Sequence, residues 1–278
     1  MTQYLQTNFD LNSGSLVGVL DELPLWSAPF GLKLLENIKY RKNISALDIG
    51  FGTGFPLTEL AMRLGKSCKI YGIDPWKTAI DRASQKIGLY GIENIEIIQG
   101  IAENIPLESS SIDLIISNNG LNNVSDINKA LNECSRVIKP GGQFIQTINL
   151  DKTMIEFYNV MAEVLLELKM DDCLDTMKAH IYKKRKPLEE YTKLLENHGF
   201  IIESVKQDQF AYRFVDGTSM LNHFFIRFAF LDPWKEIIPP ERQNEVFGLI
   251  ENKINDQVKP DDIFKLSVPY AVISCIKK

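Results

Sequence analysis

The residues with the clearest chemical potential form a short acidic and glycine-rich stretch. Asp48 is followed by glycines at positions 50, 52 and 54, and Pro56 lies just beyond them. Glycine permits positive φ angles and lets a ligand approach the main chain closely. A carboxylate beside such a loop favours a ligand that carries positive charge. The stretch therefore predicts a small-molecule site at a turn between a strand and a helix.

The spacing of these glycines differs from that of two common nucleotide-binding loops. A dinucleotide fingerprint, G-x-G-x-x-G, would need a glycine where Phe55 stands. A phosphate-binding P-loop would need Gly-Lys-Ser/Thr after the glycines, and none follows. A pyrophosphate or nucleotide phosphate is therefore not the expected ligand.

Alternating strand and helix patterns position the glycine loop. Short apolar runs bounded by glycines predict buried strands, at 45–49, 69–73, 95–99, 112–117 and 143–148. Helical spacing predicts helices at 55–64, 76–89 and 126–138, and residues 139–142 (Lys-Pro-Gly-Gly) predict the turn that ends the last of these. The alternation predicts an α/β fold with a doubly wound Rossmann-like sheet, whose ligands bind at the carboxyl ends of the strands.

The pattern changes after Asn149. We expect helices over 151–186 and 188–198, a long strand at 200–214, further helices at 219–230 and 241–254, and a closing antiparallel strand at 264–276. The predicted domains are an N-terminal helical lid at 1–44, a ligand-binding core at 45–149, a helical substrate cap at 150–186 and 216–258, and a C-terminal part of the core sheet at 187–215 and 259–278.

Composition excludes some partners. The chain has 31 basic and 36 acidic residues and a net charge of −5, without the basic footprint of a nucleic-acid-binding protein. No secretory signal and no apolar run long enough to span a bilayer is visible. Four scattered cysteines predict free thiols rather than a metal site. We expect a cytoplasmic protein with no nucleic acid, membrane or metal partner, of open oligomeric state.

The loop belongs to a series of five segments that together resemble one family. Leu47–Gly54 resembles motif I of the class I S-adenosylmethionine-dependent methyltransferases. Four further segments resemble that family's other motifs, in order and spacing: Tyr71–Asp74, Gln99–Pro106, Ile112–Asn118 and Arg136–Gly142. The subgroup resembled contains ubiquinone-biosynthesis-type and small-molecule methyltransferases. The resemblance implies S-adenosylmethionine as cofactor and methyl transfer to a small organic molecule.

The same resemblance implies roles for individual residues. Asp48 would act on the ammonium group of the cofactor, and Asp74 would accept hydrogen bonds from its ribose hydroxyls. The full set of implied cofactor-binding residues is Asp48, Gly50, Gly52, Gly54, Asp74, Pro75, Trp76, Ala102, Glu103, Asn118 and Asn119. Ile101 stands where the family often has an acid, so either Glu103 replaces that acid or adenine is held by packing.

The methyl acceptor is less well defined by the sequence. In-line methyl transfer needs alignment more than a catalytic dyad, and none stands out. Asn122, Asn123 and His223 are weak catalytic candidates, and the surroundings of His223 in the sequence favour a packed histidine over a pocket base. The basic run 183–186 could be solvated surface or a clamp for a carboxylate or phosphate. A protein or nucleic-acid methyltransferase and a non-catalytic S-adenosylmethionine-binding protein remain alternatives.

Overall fold

A single sheet continues on both sides of the strand that precedes the glycine loop. The computed structural model describes residues 2–6, 8–22, 25–258 and 262–278. Within them, seven strands pair in the order β3-β2-β1-β4-β5-β7-β6. Their bounds are β1 Ser45–Ile49, β2 Lys69–Asp74, β3 Ile95–Gln99, β4 Ile112–Asn118, β5 Ile138–Asn149, β6 Phe200–Phe214 and β7 Phe264–Lys277. The pairs among β1 to β5 are parallel, and β7 pairs antiparallel to β5. The predicted doubly wound, mostly parallel sheet is confirmed.

Helices follow the strands as the alternation predicts. The first eight helices are α1 Gly14–Glu22, α2 Ser27–Glu36, α3 Leu57–Leu64, α4 Lys77–Tyr90, α5 Ile127–Val137, α6 Ile155–Glu167, α7 Asp171–Lys184 and α8 Leu188–Asn197. Later ones are α9 Gly217–Asn222, α10 Phe224–Ile226, α11 Asp232–Lys235 and α12 Gln243–Gln257, with a π-helical turn at Arg227–Leu231. Short 3₁₀ turns lie at Gln3–Gln6, Gly120–Asn123 and Pro240–Arg242. Helices α1 and α2 lie in the N-terminal segment 1–44, which the sequence analysis predicts to be helical.

One predicted turn lies inside a strand. Helix α5 ends at Val137, and Ile138 already pairs with Ile112 at the start of β5. The register then shifts between Ile112 and Leu114, which marks a bulge. A bulge accommodates a proline, which has no N–H to donate, and a glycine at positive φ. Strand β5 therefore begins five residues earlier than the sequence predicts.

The chain divides into two compact units, each built from several segments. The core unit comprises residues 10–149, 187–208 and 270–278, and the second unit comprises residues 1–9, 150–186 and 209–269. The structure divides the chain at 208/209 and 269/270, whereas the sequence predicts boundaries at 215/216 and 258/259. Both divisions of the structure fall inside a strand, β6 and β7 respectively, where the sequence pattern gives no sign of a boundary. The predicted boundary at 258/259 adjoins residues 259–261, which lie outside the described residues.

The N-terminal segment is divided between the units. Residues 10–44 of the predicted lid form part of the core unit and contain α1 and α2. Helix α1 packs against α4, and α2 packs against β4 and β5. Residues 10–44 thus pack within the core unit, and the role of residues 1–44 as a lid stays a prediction.

The second unit has its own aromatic core. The ring of Phe157 on α6 stacks on that of Trp234 at 3.7 Å between centroids. The indole N–H of Trp234 donates to the hydroxyl of Tyr158 at 3.1 Å. Phe157, Tyr158 and Trp234 are all buried, so the apolar stripe of α6 faces the core of this unit. Helix α12 packs on both α6 and α9.

Candidate functional site

Two glycines bring the ends of β1 and β4 together. Gly50, just after β1, has φ +75°, and a Cβ there would lie 2.6 Å from Gly120 Cα. A Cβ on Gly120, just after β4, would lie 2.2 Å from the carbonyl oxygen of Ile49. Any larger residue at either position would clash with the main chain, because these Cβ distances are shorter than non-bonded atoms can approach. This close approach places the two loops at the carboxyl edge of the sheet, where ligands bind in such folds.

Asp74 at the end of β2 organises the glycine loop. One carboxylate oxygen accepts from the amide of Gly52 and the other from the amide of Trp76, each at 2.8 Å. Burial raises the pKa of Asp74, although these two amide donors act to lower it. Since a carboxylate oxygen has two acceptor sites, Asp74 can accept further hydrogen bonds from a ligand.

Asp48 in β1 is a buried carboxylate without a partner. Its side chain is fully enclosed, and neither oxygen has a hydrogen-bond donor among the described residues. Burial, together with the charge of Asp74, raises the pKa of Asp48 well above its ordinary value. Neither carboxylate forms an ion pair with a described side chain. A bound cation would therefore relieve an electrostatic cost at this point of the sheet.

A cavity of about 380 Å³ opens at the ends of β1, β2 and β3. Eight of the predicted site residues line it: Gly50, Gly52, Asp74, Pro75, Trp76, Ala102, Glu103 and Asn123. Ile101, which the sequence analysis considered for packing against adenine, also lines it, and six residues that were not predicted complete the wall: Ile49, Ile73, Gly100, Gly120, Val124 and Ser125. The carboxylate of Glu103 accepts from the amides of Ser125 and Asp126 at 2.8 and 3.1 Å, so one of its oxygens is engaged in holding a loop.

A second cavity of about 400 Å³ adjoins the first. The two share Gly50, Gly52 and Trp76 in their walls. Its remaining walls come from the N-terminal segment, the glycine loop, the start of α3, the C-terminal half of α4 and the end of β4: Leu20, Asp21, Ser27, Ala28, Phe51, Thr53, Phe55, Thr58, Glu59, Lys86, Tyr90 and Asn118. The glycine loop therefore separates two adjoining spaces in the core unit.

Charged side chains attach α1 to α4 beside the second cavity. Asp21 accepts from Lys86 Nζ at 2.7 Å and from Arg82 Nε at 2.8 Å. Burial acts to raise the pKa of Asp21, but the hydrogen bonds from Lys86, Arg82 and Thr53 prevail and lower it. The indole of Trp76 donates to the carbonyl of Leu11 at 2.9 Å. Sequence reasoning missed these contacts, because nothing in a local pattern links residue 21 to residues 82 and 86.

Four predicted residues have other surroundings. Asn118 lines the second cavity, but its amide donates to Ser27 O and its oxygen accepts from Thr147 Oγ1, both at 3.0 Å. Asn119, at φ +61°, keeps a buried side-chain nitrogen without a described partner. Its oxygen accepts from Asn122 Nδ2 at 2.9 Å. Gly54 lines neither cavity, and a Cβ there would lie 3.3 Å from Ala83 Cβ on α4.

His223 and the basic run belong to the second unit. The ring of His223 lies 5.4 Å from that of Phe214 and 6.1 Å from that of Tyr212. Its Nδ1 has no hydrogen-bond partner in the described structure, and burial lowers its pKa. In the basic run, Lys183 and Lys184 are exposed, whereas Arg185 is buried.

Other classes of site leave no trace in the described ranges. Within them no cluster of three or more His, Cys, Asp or Glu residues could hold a metal ion. All four cysteines are free and buried, as the sequence predicts. Among the helices described, none combines the length and apolar character needed to cross a membrane.

Comparison with known proteins gives a domain match and sequence relatives. A family model described as a methyltransferase domain matches residues 47–146. The demethylmenaquinone methyltransferase of Geobacillus sp. (strain WCH70) is 32% identical over 123 residues, which cover 44% of this chain and 53% of that enzyme. That of Bacillus mycoides (strain KBAB4) is 35% identical over 112 residues, 40% of this chain and 47% of that enzyme. The chain thus spans about half the length of these relatives.

Solved structures share the fold over a longer range. The YcgJ protein from Bacillus subtilis aligns with a TM-score of 0.59 at 18% identity, over 90% of this chain and 98% of that one. A SAM-dependent methyltransferase from Aquifex aeolicus aligns with a TM-score of 0.53 at 18% identity, over 97% and 100%. At this identity the likeness concerns the fold alone.

Proposed function

We propose that the protein is an enzyme that transfers a methyl group from S-adenosylmethionine to a small organic molecule. Residues 47–146 match a methyltransferase-domain model, and five sequence segments resemble motifs of the class I S-adenosylmethionine-dependent family. The observation that carries this proposal is the pair Asp48 and Asp74. Two buried carboxylates without a cationic partner among the described side chains lie beside the glycine loop. They suit a ligand that carries both positive charge and hydroxyl groups.

The core unit's residues fit such a cofactor. Asp74 retains acceptor sites for the ribose hydroxyls, and the positive φ angles of Gly50 and Gly52 expose their main chain to the ligand. Pro75, Trp76, Ala102 and Glu103 line the cavity in which adenine would be held. Ile101 lines this cavity as well and would give adenine apolar contact at the position where the family often has an acid.

The chemistry of the transfer asks little of acid–base groups. When bound, S-adenosylmethionine would supply an electrophilic sulfonium methyl group: the acceptor bonds to the methyl carbon as the carbon–sulfur bond breaks, and S-adenosylhomocysteine leaves. Asp48 and Asp74 would stabilise the cationic ligand, and the cavity walls would align the reacting groups. Among the predicted catalytic residues, His223 has a lowered pKa, which keeps its imidazole neutral at pH 7, the form that accepts a proton.

We place the acceptor among small molecules. The net charge of −5 disfavours a nucleic acid, and the curated relatives reported above are demethylmenaquinone methyltransferases. A cytoplasmic location is part of the proposal, because four free, buried cysteines fit a reducing compartment.

Calorimetric titration with S-adenosylmethionine and S-adenosylhomocysteine tests the proposal, followed by a metabolite screen for methyl transfer. Asp74→Asn keeps an acceptor but loses the charge, and we expect it to weaken binding roughly 10- to 100-fold, as befits one charged hydrogen bond. Asp81→Asn, an exposed change on α4, is the matched control and should bind like wild type. The proposal fails if neither ligand binds wild type, or if Asp74→Asn binds both as tightly.

A further inference from the structure

Arg185, immediately after α7 in the second unit, is a buried cation without an anionic partner. Only 6% of the residue is exposed, and its Nη1 is enclosed with no hydrogen-bond partner among the residues described. No ion pair of the described chain includes it. Burying a charge without a partner is costly, and arginine is almost never fully buried unless it is paired. Burial of the Arg185 charge therefore costs free energy, and a bound anion would offset that cost.

The neighbours of Arg185 stabilise it only in part. Its guanidinium carbon lies 5.8 Å from the centroid of the Tyr158 ring. Such a cation–π contact attracts the charge but provides no acceptor for the N–H groups. The hydroxyl of Tyr158 already accepts from Trp234. Tyr158 therefore leaves the enclosed Nη1 of Arg185 without an acceptor.

The surroundings of Arg185 are electropositive. The ring of His180 lies 6.4 Å from that of Tyr158. Burial, followed by the charges of Arg185, Lys184 and Lys183, lowers the pKa of His180 to about 4. The histidine is therefore neutral at pH 7 and adds no positive charge of its own, whereas the two lysines do.

The four residues of the basic run 183–186 differ in exposure, which bears on whether the run is solvated surface or binds an anion. Lys183 and Lys184 are exposed, as in an ordinary solvated run. The ammonium of Lys186 lies 4.7 Å from the ring of Tyr182, itself an exposed residue. Arg185 alone among the four points inward. The arginine thus differs from its neighbours in burial and in lacking a solvent shell.

We propose that Arg185 binds a small oxyanion, either a carboxylate or a phosphoryl group, in the second unit. This inference goes beyond the proposed methyltransferase function and identifies an anion site that this function does not require. A guanidinium is planar and presents paired N–H donors that match two oxygens of such a group, which a lysine cannot do. No covalent step is involved, because the residue holds the oxyanion through charge and hydrogen bonds.

Thermal unfolding of the full chain tests the assignment with sodium phosphate and sodium benzoate as probes, each compared with sodium chloride at equal ionic strength. We expect at least one oxyanion to raise the Tm of wild type by about 5 °C near saturation. Phosphate alone would indicate a phosphoryl group, and benzoate alone a carboxylate. Arg185→Met should lose the rise. Without an oxyanion it should melt at or above the wild-type temperature, because an unpaired buried charge has been removed.

Two further variants complete the experiment. Lys184→Met removes a nearby exposed charge and should keep the full rise, whereas Arg185→Lys keeps the charge without the paired donors and should show a smaller one. The assignment is overturned if neither oxyanion raises the Tm above chloride, or if the rise persists in Arg185→Met. Calorimetric binding of S-adenosylhomocysteine should be unchanged in Arg185→Met. If wild type does not bind S-adenosylhomocysteine, the proposed function is overturned instead, and the assignment of Arg185 is judged by the Tm alone.

Discussion

The carboxylate of Asp21 on α1 lies 2.7 Å from Lys86 Nζ on α4, and both side chains are largely shielded from solvent, at 10% and 14% exposure. This pair, with Arg82, holds the N-terminal segment against the wall of the second cavity. Removing one partner of a shielded ion pair lowers the free energy of unfolding more than it does in an exposed pair, because the other charge is left buried.

A double-mutant cycle with Asp21→Asn and Lys86→Met measures this contact. We expect a coupling free energy of about 1–2 kcal/mol from urea unfolding. The exposed pair of Lys77 and Asp81 on the same helix serves as control and should show about 0.5 kcal/mol or less. Because the pKa of Asp21 is lowered on folding, its contribution is present above the ordinary pKa and is lost as the pH falls toward the folded value. Equal coupling free energies for the two pairs would contradict the stronger contact expected between Asp21 and Lys86.

Replacement of the unpartnered Asp48 should separate stability from ligand binding. The raised pKa of Asp48 means that the folded state binds the extra proton, so stability falls as the pH rises from the ordinary pKa toward the folded one. Asp48→Asn removes this titration. Its unfolding free energy relative to wild type should increase between pH 4 and pH 8, while S-adenosylhomocysteine binding weakens. A difference that does not vary with pH would argue against a buried, unpaired carboxylate.

Trp76 should report ligand binding by fluorescence. It lines both cavities of the core unit, whereas Trp234 is fully buried in the second unit. We expect S-adenosylhomocysteine to change tryptophan emission in wild type and in Trp26→Phe, and the change to be lost in Trp76→Phe. An undiminished signal in Trp76→Phe would place the ligand elsewhere.

Alanine substitutions of two glycines should act in opposite directions. Gly120→Ala would bring a Cβ to 2.2 Å from Ile49 O, so the main chain must shift, at a cost of about 1–3 kcal/mol or more. Gly88→Ala on α4 meets nothing within 4 Å and should stabilise the protein by about 0.4–1 kcal/mol, because alanine favours the helix and restricts the unfolded chain. Both effects can be read from urea midpoints. A neutral Gly120→Ala would contradict the close approach of the two loops.

The sheet could be predicted because its signals are local. Strands β1, β3 and β6 have the predicted bounds, and in β1 and β3 a short run rich in apolar residues ends directly before a glycine. The start of β5 could not be predicted, because Pro140 and Gly141 have the composition of a turn and only pairing with β4 keeps them in the strand. Local chemistry and long-range pairing disagree there, and the pairing prevails.

The candidate site was predictable only where a motif carries it. Gly50, Gly52, Asp74 and Ala102 follow strand ends, and the structure brings them together around one cavity. The role of Asn118 as a bridge between Ser27 and Thr147 depends on residues 91 and 29 positions away. The burial of Arg185 likewise follows from packing in the second unit, and its sequence neighbours give no sign of it.

The position of β7 has a consequence for how the polypeptide is made. This strand lies between β5 and β6 in the sheet, yet it follows both of them in the chain. During synthesis from the N-terminus, β5 and β6 emerge from the ribosome before the strand that joins them. Their facing edges stay open for as long as translation of the intervening residues lasts. Open edges invite pairing with other chains, so a nascent chain stalled before residue 264 is the species most exposed to aggregation.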